Sequence, residues 1–392
     1  MMQKGQTWNE STIYQDPVTL RTVRRVTSQG YLNTVPSYHT DQAFTRDGRY
    51  VIFITNREGR SALCKADVQT GDITCLTRPI RGLGAPNEVH QYGDGKGISI
   101  GAVLEPRGHW AFYAAGRSLR AVHIDTLQER VVVPQIPRHM YIESMVVSCD
   151  EQYLLYALVG LYPQDTEAMR YEIRRIRLWD GESETLLEGN GYNISHLMQN
   201  PVYPHLFLVG KDKGPSPLHR IDENSRAWIW NTDTGSMTNV KTLADQNFQT
   251  HTAWTWDGEG VLYHGMLGNS SWPGNLNDKG WYIGLSSLDG HPLREYSFPD
   301  APYYGHVSAM RGKNAAILDG NLMDGYLMWL YFDEETPRVE IIARHDTDFT
   351  LMPGQSTHPH TICAPGGHHL VFNSARRVIF SGGRSDIYAV EV

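Results

Sequence analysis

A motif returns at a fixed step along this chain, and that step restricts the fold more than any other feature. In "HTAWTWDGEGVLYHG" (251–265) a polar start leads into alternating apolar residues, an Asp-Gly turn and a second apolar run. "HVSAMRGKNAAILDG" (306–320) and "HPHTICAPGGHHLVFNS" (358–374) have the same form, and "HLMQNPVYPHLFLVG" (196–210) is a weaker copy. The first turns of these four units fall at about Pro204, Gly258, Gly312 and Gly366, a step of 54 residues. "DQAFTRDGRYVIFITNREGRSALCKADVQTGDITCLT" (41–77) shows a whole unit: four short strands, the first ending at the Asp47-Gly48 turn and the last following Thr70-Gly71. "GAVLEPRGHWAFYAA" (101–115) and "SMVVSCDEQYLLYAL" (144–158) bring the count to seven. A four-stranded unit cannot bury both faces alone, and a closed set of such units is a β-propeller.

The ends of the chain fit the same scheme. The last unit stops at "SDIYAVEV", its third strand, while the N-terminal "DPVTLRTVRRVTS" resembles "DVQTGDITCLT", the fourth strand of the first unit. An N-terminal strand at about 16–28 can therefore complete the last blade and remove an open edge. The expectation is an all-β, seven-bladed β-propeller with four-stranded antiparallel blades, one domain over 1–392. Residues 161–170, 211–225 and 266–280, rich in Pro, Gly, Asn and Asp, are expected loops.

Composition narrows the partners. The chain carries 35 Lys+Arg against 43 Asp+Glu, a net charge of -8, without the basic stripe of a nucleic-acid binder. No run reaches the ~18 apolar residues of a membrane span, and the first residues lack the apolar core of a signal peptide. None of the four cysteines stands in a Cys-x-x-Cys pair, which argues against a thiolate zinc site and for a reducing compartment. The expected setting is cytoplasmic, with no nucleic acid and no membrane, as a monomer or weak homo-oligomer.

Inner strands of a propeller begin at a shared face, so the residues that open each unit should converge. The openers are His196, His251, His306 and the pair His358/His360, with Gln355 just before. Two histidines at i and i+2 point the same way on extended chain. Neutral imidazoles joined by an amide oxygen suit a first-row divalent ion. The competing view is that each opener hydrogen-bonds across the rim. "SRAWIWNTDTG" places Arg226 at the start of a third strand, where a surface salt bridge is the competing role.

These motifs resemble the oligogalacturonate lyases, β-propeller enzymes of pectin breakdown. The resemblance runs from "DPVTLRTVRRVTS" to the C-terminus and is most specific at "QSTHPH" (355–360). It implies a manganese site of Gln355, His358 and His360, with His306 in "GHVSAM" as a further ligand. It also implies His251 in "THTAWTWDG" as catalytic base and Arg226 in "SRAWIW" as catalytic arginine. The chain departs from the family at "GKDKGP" (210–215), where the family's Cys-His-Glu-Gly-Pro is absent, and at "SYHTDQAFT", where His39 replaces an aromatic. His196 and His39 are the candidate substrate contacts.

The reaction implied is metal-assisted β-elimination on an anionic oligouronide, giving a 4,5-unsaturated uronate end. The C5 proton is weakly acidic beside a carboxylate. A Lewis acid and pre-aimed cations neutralise that charge, and an imidazole is a base suited to neutral pH. The alternatives are a sister lyase on a rhamnogalacturonan- or ulvan-type oligouronide, and a non-catalytic propeller that binds protein. A hydrolase would need paired carboxylates, and the openers offer histidines instead.

Overall fold

The structure is a computed structural model that describes residues 2–36, 42–81, 102–160, 170–213, 226–243, 248–268, 280–301, 305–320, 325–347, 358–376 and 385–392. Of the expected loops, 161–169, 214–225 and 269–279 lie outside these residues. The described residues form seven antiparallel sheets, taken up one after another along the chain, and no helix. This is the seven-bladed β-propeller that the repeat predicts. Among the described residues no helix is long and apolar enough to cross a membrane.

The fifth blade is representative: Phe248–Trp254, Gly260–Met266, Trp281–Ser287 and Pro292–Phe298 pair in chain order. Its first hairpin turns at Thr255–Gly260. There Asp257 Oδ1 accepts from the Thr255 hydroxyl (2.6 Å) and the Glu259 amide (3.2 Å), and Gly258 takes φ +74°. The same Ser/Thr-x-Asp device recurs at Thr45/Asp47 and Ser148/Asp150, so the turn is encoded locally. Second strands are buried almost throughout, as in Tyr50–Arg57 and Tyr153–Gly160, because both of their faces are covered. Outer strands such as Ser183–Asn190 are mostly exposed.

The chain falls into two compact units, Met1–Tyr141 with Asp324–Leu327 and Ile341–Val392, and Ile142–Met323 with Met328–Glu340. In the first, Val51, Ile54, Ala111, Val371 and Ile387 join one apolar core drawn from the first, second and seventh blades. In the second, Val146, Ile173, Phe207 and Trp230 pack the third blade on the fourth. Leu208, Ile229, Val261 and Tyr282 pack the fourth on the fifth.

The N-terminal segment closes the last blade as expected: Thr22–Arg25 pairs with Asp386–Glu391, with Val23 opposite Val390. It also does more. Thr12–Gln15 adds a fifth strand outside Thr22–Arg25, and Thr7–Asn9 pairs with Asp72–Cys75 of the first blade. Two exposed edges are thereby covered rather than one. The first blade differs in detail from the repeat, which predicts an inner strand running from residue 41 to the Asp47-Gly48 turn. Leu32–Thr34 instead pairs with the far half of Tyr50–Arg57, and Phe44 makes a single bridge to Val51. An eight-residue second strand needs more inner chain than a run ending at that turn provides.

Candidate active site

In the second unit, backbone irregularities aim the histidines. The fourth blade's inner strand, Tyr192–Gln199, shifts register between Ser195 and Met198, and His196 lies there at φ +51°. A left-handed histidine on a bulge is costly, and bulges of this kind re-aim side chains beside functional sites. The fifth blade's inner strand shifts register between Gln249 and His251. The buried Gln249 side chain ties it to the fourth blade, accepting from the Ala227 amide (2.8 Å) and donating to the Val240 carbonyl (3.2 Å).

Arg226 directly precedes the third strand Ala227–Asn231 and is only 7% exposed, which overturns the surface salt bridge considered from sequence. Its Nη1 donates to the Thr250 carbonyl, and its Nη2 lies 3.2 Å from Ser195 Oγ and 3.0 Å from His196 Nδ1. Burial first, then the charge of Arg226 and the proximity of His306, hold His196 well below the usual histidine range.

His251 is the centre of a histidine cluster. Its ring lies 5.7 Å from that of His196, 4.6 Å from His306 and 5.3 Å from His264, centroid to centroid. His264 stands opposite it on the adjacent strand, with 3.2 Å between His251 Nδ1 and His264 Nε2. Burial, with His306 and Arg226 adding to it and Asp319 opposing, pushes His264 down to about 3, so it is a neutral partner. A hydrogen bond to the Gly305 backbone favours a proton on the His264 ring. Across that contact one ring nitrogen donates and the other accepts; the tautomer in which His251 donates from Nδ1 is the one that carries its lone pair on Nε2.

His306 is set by a carboxylate. Its backbone amide donates to Asp319 Oδ1 (2.7 Å), and its Nδ1 lies 3.1 and 3.0 Å from the two carboxylate oxygens. Both residues are buried. An ionised carboxylate only accepts, so His306 carries its proton on Nδ1 and offers Nε2 as a ligand atom, the usual support of a metal-binding histidine.

In the first unit, His358 and His360 flank Pro359 with ring centroids 5.6 Å apart. His360 is buried at φ +45°. Asn373 holds this segment: its amide donates to the Pro359 carbonyl (2.8 Å), and its side chain donates to the His358 carbonyl (3.3 Å) and accepts from Val35 N–H (2.9 Å). Gln355 and His39 lie outside the described residues.

The structure therefore gathers His196, Arg226, His251 and His306 in one unit and pairs His358 with His360 in the other. Asp319, His264, Ser195 and Asn373 were not singled out from sequence. Three of these stand 13 residues after an opening histidine, His251 to His264, His306 to Asp319 and His360 to Asn373, a spacing legible in the chain.

No protein-family model matches the chain. It is 24% identical over 393 residues to the oligogalacturonide lyase of Pectobacterium atrosepticum, covering 92% of each sequence. It is also 24% identical over 389 residues to the oligogalacturonate lyase of Dickeya dadantii, again 92% of each. An oligogalacturonate lyase solved in complex with manganese matches with a TM-score of 0.77 at 24% identity, over 100% of this chain and 98% of that one. The oligogalacturonate lyase of Vibrio parahaemolyticus matches with a TM-score of 0.75 at 18% identity, over 99% and 98%. In sequence along most of its length, and in fold along all of it, this chain is similar to the oligogalacturonate lyases.

Proposed function

We propose that this protein is a lyase that cleaves oligogalacturonides by β-elimination, with His251 as the base. The observation that carries the reading is the packing of His251 among three imidazoles, one of them fixed by a buried carboxylate and one by a buried guanidinium. From the sequence, His306, His358 and His360 are three proposed imidazole ligands of a divalent metal ion. Gln355, from the sequence, is the fourth proposed ligand, and the relative solved with manganese makes that the proposed ion. His196 faces the sugar, with His39 added from sequence. The proposed setting is the cytoplasm, in keeping with the free thiols of Cys64, Cys75, Cys149 and Cys363.

The bound ion would supply Lewis-acid polarisation of the uronate carboxylate, which acidifies C5–H. His251 takes the C5 proton on Nε2. The electron pair of that C–H bond becomes the C4=C5 double bond, the C4–O4 bond breaks with its pair on O4, and O4 takes a proton from water, while His251 later returns its own to solvent. The cation of Arg226 lies within the cluster and favours the negative charge that develops there.

His251→Ala should lower turnover at least ~10²-fold, the low end for a general base. The readout is the ultraviolet absorbance of the conjugated 4,5-unsaturated product, with manganese binding followed by calorimetry. Near-normal turnover in a folded variant refutes His251 as the base. The same assay on rhamnogalacturonan and ulvan fragments distinguishes a sister specificity.

A further inference from the structure

Arg226 and His196 support an inference that rests on the elimination proposed above and goes beyond it. A guanidinium carries hydrogens on every nitrogen and has no acceptor to offer, so an imidazole nitrogen facing it must be the acceptor. Nη2 of Arg226 lies 3.0 Å from His196 Nδ1, and the Ser195 hydroxyl lies 2.9 Å from the same nitrogen. With that lone pair engaged, a neutral His196 carries its proton on Nε2. A second proton, on Nδ1, would point at the guanidinium, in keeping with the depressed proton affinity of this ring. His196 can thus donate from Nε2 but cannot take a proton there. His251, on the neighbouring inner strand, faces the imidazole of His264 instead of a cation.

We propose that Arg226 is a positioning residue that holds His196 as an Nε2–H donor to the oxygen leaving C4. The two adjacent imidazoles then divide the reaction, His251 accepting from C5 and His196 stabilising the departing oxygen by a hydrogen bond. Galacturonate chemistry calls for such a division, because H5 and O4 stand on opposite faces of the ring and one group cannot serve both. Arg226 is suited to this role because both Nη2 contacts, to Ser195 Oγ and His196 Nδ1, are made inside the protein.

The test is a long-range 15N–1H correlation of histidine-labelled protein, with His196→Gln identifying the His196 signals. The expected spectrum has Nε2 protonated and Nδ1 unprotonated, with tautomer averaging in Arg226→Met. Turnover should fall ~10²-fold or more in Arg226→Met and His196→Leu with KM within about threefold, the loss typical of one removed oxyanion donor. His196→Gln, whose amide restores an N–H near Nε2, should recover part of it, and it probes the role should Arg226→Met not fold. A proton on His196 Nδ1, or an effect of Arg226→Met confined to KM, overturns the proposal. Wild-type protein that yields no unsaturated product from any oligouronide removes the role at O4, while the spectrum decides the tautomer lock independently.

Discussion

Asp319→Asn is the sharpest probe of how the site is held. The carboxylate accepts the His306 backbone amide at 2.7 Å and faces the ring Nδ1 at 3.1 and 3.0 Å. The substitution keeps the shape and replaces one oxygen by an NH2 group. Two orientations are possible, and the one that sets NH2 against the backbone amide opposes donor to donor. The amide oxygen therefore stays on the backbone, and NH2 faces Nδ1. The ring responds by moving its proton to Nε2, which removes the lone pair that a metal ion needs. Losses on removing such a support are ~10–100-fold in metal affinity, or about 1.4–2.7 kcal/mol. Calorimetric titration of manganese(II) into metal-free wild type and Asp319→Asn measures this directly, with a thermal melt to confirm folding. A folded variant that binds manganese within threefold of wild type refutes the reasoning, because His306 would then not depend on Asp319 for its tautomer.

Two further predictions concern stability. His264 is neutral in the fold, pushed down to about 3, against ~6.5 in an unfolded chain. The unfolded state therefore binds more protons below 6.5, so the stabilising contribution is whole above that pH and is lost as the pH falls from about 6.5 toward 3. His196 acts in the same direction. Metal-free protein should lose about 1 kcal/mol of unfolding free energy from His264 between pH 6.5 and 5.5, read by urea titration at constant ionic strength. A flat profile over that interval contradicts the burial argument. Gly258→Ala should cost more than Gly312→Ala, although both positions have left-handed φ (+74° and +67°). A Cβ at 258 meets Asn200 Oδ1 at 2.5 Å, while at 312 nothing lies within 4 Å. The conformational cost alone is about 1–2 kcal/mol, and melting curves should separate the two variants by several degrees if the Asn200 clash adds to it.

The fold was legible because its signals are local and repeated: an Asp or Gly turn between apolar runs, returning with the same step. The opening histidines were legible for the same reason, since His196, His251, His306 and His360 occupy equivalent places in successive units. Their supports share a 13-residue spacing in the chain, but their role is a property of a strand pair. His264 and Asp319 show no chemical kinship until the hairpin is drawn, and only then do both fall opposite an opener. The left-handed backbone at His196 and His360 has no signature in residues that rarely adopt it. The inner strand of the first blade was misplaced because the described part of the expected segment pairs only with the near end of Tyr50–Arg57, through Phe44 and its neighbours, and Leu32–Thr34 pairs with the far end.

The pairing of Thr22–Arg25 with Asp386–Glu391 makes the seventh sheet a latch between distant parts of the chain. The Ile387 amide and the Thr27 hydroxyl that join there are 360 residues apart, and bringing together ends so distant costs about 5 kcal/mol of chain entropy. During synthesis Thr22–Arg25 must wait for Asp386–Glu391 before this pairing can form. Closure of this sheet is therefore decided late, by a pairing that no local segment can make alone.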